Sequence, residues 1–233
     1  MSLLSAYRRG VILVDKLCFL VYCRKFEVIG RERVPPEGGL IVASNHLNNA
    51  DPPAVSLALP RHPTFMAKKE MFGWPIVGPA IRAFGAFPVR RFDADLAALR
   101  AATELVKSGQ MLIMFPEGTR SRTGGLGTGH PGTALVALRT GAPVLPMAVT
   151  GTEHVRWPFI FLMPRSIKHV RVAIGEPFRL PPVERINTET AAQATDLIMR
   201  RIAALLPPEY RGAYADVDLG EEQKAPLEAK EVY

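Results

Sequence analysis

His46 and Asp51 stand five residues apart in the stretch IVASNHLNNADPP, residues 41–53. An imidazole is the side chain suited to take and return a proton near neutral pH. A carboxylate that accepts its Nδ1 hydrogen fixes the tautomer and favours the protonated ring. On a continuous helix, positions five apart diverge by about 140°, so the two side chains meet only if the chain turns between them. The apolar and small residues before Asn45 read as a strand end, and Pro52-Pro53 as the stiff start of a helix over 52–60. His46 is thereby expected in a strand-to-helix turn, with Asp51 as the helix N-cap. On spacing alone Asp51 either orients His46 or merely caps its helix.

A second polar element is FPEGTRSR, residues 115–122. Gly118 permits an unusual backbone turn, and Arg120 and Arg122 follow with the hydroxyls of Thr119 and Ser121. Arginine grips a phosphate or carboxylate through two parallel hydrogen bonds. Glu117 either positions a polar headgroup or anchors an arginine. A third element is AKKE (67–70) followed by GAFPVRR (85–91). If these segments end strands on one edge, Lys68, Arg91 and Arg120 form an anion pocket facing His46; singly, each reads equally well as a surface charge. The chain has no G-x-S-x-G nucleophile elbow and neither cysteine lies near His46, so a covalent nucleophile is not suggested.

The elements that must position these residues follow from periodicity. Buried strands are expected at 38–44 and 110–116 and further strands at 62–67, 143–151 and 169–178, with another running from Gly85 into Arg90-Arg91. Helices are expected at 52–60, 74–85, 93–109 (ended by Gly109), 132–141 and 188–207. Strands alternating with helices through 38–151 indicate an α/β fold with a mostly parallel mixed sheet flanked by helices. In such sheets ligands gather at the carboxyl ends of strands, where all the polar elements fall. GTGHPG (127–132) matches G-x-G-x-x-G, but the preceding strand ends about a dozen residues earlier, so it reads as a loop entering a helix and not as a dinucleotide fingerprint.

The chain has 233 residues, 48% hydrophobic and 22% charged, enough for one domain with appendages. Net charge is +7; residues 209–233 hold seven acids against three bases, which leaves +11 on the rest. A basic body attracts nucleic acid, anionic lipid or a phosphorylated small molecule. The bases cluster at motif ends and are not spread along a face with interleaved aromatics, which disfavours nucleic acid. Cys18 and Cys23 lie on one expected helix, five apart, pointing to different sides; they form neither a disulfide nor a zinc pattern. A reducing, cytosolic setting fits. Residues 1–32 read as an amphipathic helix whose charges, Arg8, Arg9, Asp15 and Lys16, interrupt it too often for a membrane span. Two fates fit it: lying in a membrane interface, or docking on the protein's own core. Residues 33–208 read as the main domain and 209–233 as an acidic, mobile tail.

NHLNNAD, GAFPVRR, FPEGTRSR and APVLPMAVTG occur in the order and approximate spacing of the four motif blocks of the glycerolipid acyltransferases. The chain resembles the 1-acyl-sn-glycerol-3-phosphate acyltransferases most closely, over about Val34 to Phe178. The resemblance implies the glycerolipid acyltransferase fold, with His46 and Asp51 catalytic and Lys68, Arg91 and Arg120 binding the substrate phosphate. It implies Glu117, Gly118 and Thr119 as the residues that position acceptor or oxyanion, and Pro146 as the proline of the fourth block. Two departures stand out: His130 occupies the place of a usual lysine in the loop after the third block, and the N-terminus has one charge-interrupted segment where many members have clear apolar helices. The implied reaction is transfer of a fatty acyl group from acyl-CoA or acyl-ACP to the sn-2 hydroxyl of lysophosphatidic acid, giving phosphatidic acid in phospholipid biosynthesis. His46 would deprotonate the acceptor, with no cofactor beyond the acyl donor and no metal. The expected location is the cytoplasmic face of an anionic membrane, peripheral or monotopic. The alternatives are acylation of glycerol 3-phosphate or another lysolipid or amino-lipid, and a non-catalytic peripheral lipid-binding protein.

Overall fold

Leu40–Ser44 and Met111–Met114 are almost unbroken apolar runs, the pattern of strands buried on both faces of a parallel sheet. A computed structural model describes residues 10, 13, 17, 19, 21–75, 77–83, 85–89, 96–155, 166–216 and 231–232. It places both runs at the middle of an eight-stranded sheet. The strands are β1 (Phe26–Ile29), β2 (Leu40–Ser44), β3 (Thr64–Lys68), β4 (Ala86–Val89), β5 (Met111–Met114), β6 (Val144–Thr150), β7 (Val170–Ile174) and β8 (Glu231–Val232). Their spatial order is β4-β3-β5-β2-β6-β7-β1-β8. From β4 to β6 all neighbours run parallel; β7 joins β6 antiparallel, with Val149 opposite Val172. The carboxyl ends of β2 to β6 therefore meet along one edge.

Alternation along β2 builds the two cores. Leu40 and Val42 face one side, where Ala54, Val55 and Ala58 of α1 (Asp51–Ala58) cover them. Ile41 and Ala43 face the other, under Ala102 and Val106 of α3 (Leu96–Lys107), Ala134 and Ala137 of α4 (Gly132–Thr140), and Ile198, Met199 and Ile202 of α5 (Thr188–Leu205). The short α2 (Val77–Ala83) precedes β4. Many of the helix residues at the sheet are alanines, which let helix axes approach closely. α5 starts on a capping box, in which Asn187 accepts from the Thr190 backbone N–H and the Thr190 hydroxyl accepts from the Asn187 N–H.

Three sequence expectations change. Phe26–Ile29 sits within the stretch read as the N-terminal helix, yet it is a strand, paired in parallel with Val170–Ala173 of β7. Positions 10, 13, 17, 19, 21 and 22 are helical, and the chain leaves the helix at Cys23, a buried free cysteine whose thiol burial pushes up to about 12. Cys18 lies outside the described residues. Asp51 is the first residue of α1 and not its N-cap, which is Ala50. Finally, the stretch read as a mobile tail begins with 3₁₀ turns at Pro208–Tyr210 and Gly212–Tyr214, with Tyr210 and Tyr214 packed against the second core. Among the described residues no helix is long and apolar enough to cross a membrane.

Candidate active site

β2 ends at Ser44, and the chain turns through Asn45-His46 before α1 begins at Asp51. Asn45 is 1% exposed, and its side chain carries the sheet pairing one step past the strand. Its amide donates to the Val149 carbonyl and accepts from the Val149 N–H, each at 2.8 Å. That fixes the start of the turn against β6. Asn48 shapes its far side, accepting from the Ala50 N–H at 3.1 Å, a local turn that Asn favours.

The turn brings His46 and Asp51 together as the spacing requires. His46 Nδ1 lies 2.7 Å from Asp51 Oδ2. The same oxygen accepts the N–H groups of Leu47 at 2.5 Å and Asn48 at 2.7 Å. Asp51 Oδ1 accepts the Thr152 hydroxyl at 2.5 Å. This carboxylate is wholly buried, with donors on both oxygens and a place at the amino end of α1. Its bonds run backward to the turn and to Thr152, so Asp51 organises the loop and does not cap the helix. With Nδ1 committed to Asp51, the ring exchanges protons at Nε2. Phe115, at the end of β5, stacks on the His46 ring with centroids 4.3 Å apart at 25°. The ring is held on one face as well as at one nitrogen.

Glu117 is also buried, and each of its oxygens accepts a backbone donor. Its Oε1 accepts the His46 N–H at 2.8 Å and its Oε2 the Gly127 N–H at 2.9 Å. Burial raises its carboxyl above the usual range, partly opposed by those two donors. The Ser121 N–H then donates to the His46 carbonyl at 2.7 Å. The loop from β5 is thereby sewn to the His46 turn on both sides of Gly118. Gly118 has φ 65°, and its own N–H closes the turn on Phe115 O at 3.0 Å. A Cβ there would lie 3.1 Å from Cδ2 of His130, so His130 stands directly beside this turn.

Thr119 and Arg120 are exposed on the same loop, Arg120 one residue from the Ser121–His46 backbone bond. Lys68 ends β3 on the same edge, part-exposed, with its Nζ 3.8 Å from Glu70. Arg91 lies outside the described residues. Pro146 is buried inside β6, and its carbonyl accepts the Gly175 N–H at 2.9 Å. Sequence reading gave no role to Asn45, Thr152 or Phe115. Asn45 was visible beside His46, whereas Thr152 meets Asp51 across 101 positions of sequence and no local pattern marks it. Among the described residues no group of three or more His, Cys, Asp or Glu side chains could hold a metal ion.

Residues 25–150 match the family model described as Acyltransferase. The chain is 34% identical over 134 residues to a chloroplastic 1-acyl-sn-glycerol-3-phosphate acyltransferase of Brassica napus, covering 56% of this chain and 39% of that protein. It is 28% identical over 176 residues to the 1-acyl-sn-glycerol-3-phosphate acyltransferase of Bacillus subtilis, covering 71% of this chain and 83% of that one. The match thus spans about two-fifths of the plant relative and most of the bacterial one. The crystal structure of the 1-acyl-sn-glycerophosphate acyltransferase of Thermotoga maritima superposes with a TM-score of 0.63 at 25% identity, covering 97% of this chain and 81% of that one.

Proposed function

Because the chain belongs to the Acyltransferase family, we propose that it transfers a fatty acyl group from a thioester donor, acyl-CoA or acyl-ACP, to the sn-2 hydroxyl of lysophosphatidic acid. The observation that carries this reading is the buried His46–Asp51 pair, 2.7 Å apart, at the carboxyl edge of the sheet. Similar proteins with 1-acyl-sn-glycerol-3-phosphate acyltransferase names support the acceptor.

In the proposed reaction His46 Nε2 takes the proton of the acceptor hydroxyl as its oxygen bonds to the thioester carbonyl carbon. The Asp51 carboxylate stabilises the imidazolium that forms. The tetrahedral intermediate collapses, the C–S bond breaks, and the departing thiolate takes the proton back from Nε2. General-base help of this kind is worth about 10²–10⁴ in rate. Lys68, Arg120 and Arg91 are assigned to the acceptor phosphate, which would hold the hydroxyl in line for attack. Since the Gly118 N–H closes its own turn, the neighbouring Thr119 N–H is assigned to the developing oxyanion. Glu117 acts through His46 by fixing its backbone. Leu13, Leu17 and Val21, spaced four apart on the N-terminal helix and exposed, while Phe19 packs into the core, are assigned to the interfacial region of an anionic membrane on its cytoplasmic face.

The test offers the purified protein lysophosphatidic acid, glycerol 3-phosphate and an amino-lipid with both donors, and identifies the product by mass spectrometry. Phosphatidic acid is expected from wild type, and none above background from His46→Ala. Most activity surviving in His46→Ala would remove the proposed base. Arg120→Ala is expected to raise the acceptor KM by about tenfold or more, from the worth of hydrogen bonds to a charged group. An unchanged KM would place the phosphate elsewhere.

A further inference from the structure

The catalytic pair is the closing point of a ring of hydrogen bonds that passes through the segment after α5. His46 donates through its backbone to Glu117 Oε1, and Gly127 donates to Glu117 Oε2. The residue before Gly127, Leu126, donates its N–H to the Tyr210 carbonyl at 2.8 Å and accepts the Ala213 N–H at 2.9 Å. The Tyr210 hydroxyl donates to Glu153 Oε1 at 2.5 Å. Glu153 follows Thr152, whose hydroxyl binds Asp51 Oδ1, and Asp51 Oδ2 returns to His46 Nδ1. Tyr210 is the one residue of this ring that bonds to both loops flanking the pair: its carbonyl takes the loop after β5, and its hydroxyl the loop after β6.

The fit at this junction is close. A Cβ on Gly212 would lie 2.4 Å from the Leu126 carbonyl oxygen, and one on Gly125 would lie 2.8 Å from Gly212 Cα. Only glycines allow the backbones to approach so nearly. Glu153 Oε2 is buried with no hydrogen-bond partner among the described residues, so this carboxylate is anchored through Oε1, which accepts the tyrosine hydroxyl and lies 3.4 Å from His154 Nε2 on the exposed side. Burial and the Glu153 carboxylate hold the Tyr210 phenol above its ordinary value, so it remains a donor at assay pH.

We propose that Tyr210, through its hydrogen bond to Glu153, is a positioning residue that sets the distance between the Thr152–Asp51 and Glu117–His46 halves of the site. The proposal rests on the reading of His46 as general base. The ring reaches the pair at the His46 backbone and the Asp51 carboxylate and includes none of the side chains assigned to the acceptor phosphate, so it acts on the alignment of Nε2 more than on acceptor binding. A misplacement of a few tenths of an ångström in a catalytic base lowers turnover while leaving binding nearly intact.

The test uses the full chain. Tyr210→Phe keeps the packed ring and the carbonyl that holds Leu126 and removes only the hydroxyl; Glu153→Ala removes its acceptor. Each is expected to lower kcat by about tenfold with acceptor KM within about twofold of wild type. The double variant should be no worse than the poorer single, because both break one tie. Glu153→Gln keeps a carbonyl acceptor and should lose less than Glu153→Ala. The downfield Nδ1–H proton resonance of His46 should shift in Tyr210→Phe, a change that simple loss of stability would not produce. Folded single variants with kcat near wild type and an unmoved resonance, or with losses that add in the double variant, would overturn the proposal. If Tyr210→Phe does not fold, Glu153→Ala against Glu153→Gln decides by the same criteria. Failure of the general-base reading shows separately, as activity that survives His46→Ala.

Discussion

Asp51→Asn separates what the acid does for the fold from what it does for the reaction. The carboxylate accepts three N–H donors on Oδ2, from the His46 ring, Leu47 and Asn48, and the Thr152 hydroxyl on Oδ1. Asparagine has the same shape. With its oxygen in the Oδ2 position it still accepts all three, and its amide NH₂ can donate to a Thr152 hydroxyl that rotates from donor to acceptor. What is lost is charge. Hydrogen bonds to a charged group contribute about 1.5–3 kcal/mol and neutral ones about 0.5–1.5, a difference of about 1 kcal/mol for each of the four bonds, so the folded protein should be destabilised by about 4 kcal/mol. Turnover suffers for a different reason: the imidazolium loses its counter-charge and the ring its enforced tautomer, a loss of about 10²–10⁴ in kcat. Acceptor KM should hold, because Asp51 is fully buried and both its oxygens are occupied by the turn and Thr152. Urea unfolding measures the first quantity, and thiol release from acyl-CoA with varied lysophosphatidic acid measures the others. A folded Asp51→Asn protein with kcat within about tenfold of wild type would refute the claim that this acid orients and charges the base.

Two further substitutions probe the loop from β5. Glu117→Gln offers one acceptor oxygen to two backbone N–H groups, so it should cost about 1–3 kcal/mol by leaving one unpaired and lower kcat by displacing His46. Because burial raises the Glu117 carboxyl in the folded state, folding strengthens its hold on a proton. Wild-type stability relative to Glu117→Gln should therefore rise as pH falls from neutral towards the ordinary value of 4.5. Urea midpoints of both proteins at pH 7 and pH 5 check this, and a gap that narrows on acidification would contradict it. Gly118→Ala must hold a Cβ at φ 65° and 3.1 Å from His130. The strain, about 1–2 kcal/mol, should appear as a lower melting temperature, and a Gly118→Ala protein as stable as wild type would mean the turn relaxes freely.

Much of the site was legible in the sequence because its central pair is local. Five residues with a strand before and a proline-started helix after leave the imidazole and carboxylate one way to meet, and they meet that way. The carboxyl-edge rule likewise brought Lys68, Glu117, Gly118, Thr119 and Arg120 to the correct side of the sheet. What was not legible depends on distant partners. FEVI continues an apolar run that reads as helix, and only its pairing with Val170–Ala173, far along the chain, makes it a strand. Glu117 read as a headgroup or arginine ligand because its true partners, two backbone N–H groups, carry no signature in side-chain type. The 3₁₀ turns after α5 looked like solvent-exposed tail from their charge, yet two tyrosines among them are held by the core.

The acid and the imidazole are neighbours in the chain, but the groups that hold them are 71 and 101 residues downstream, at Glu117 and Thr152. During synthesis the first fifty or so residues already contain both side chains and the local Leu47 and Asn48 donors, but neither of the distant groups that fix them in the sheet. Turnover becomes available only after the sixth strand has joined the second and its trailing hydroxyl has arrived. The proposed acyl transfer would thus be a late readout of assembly, silent in a half-made chain.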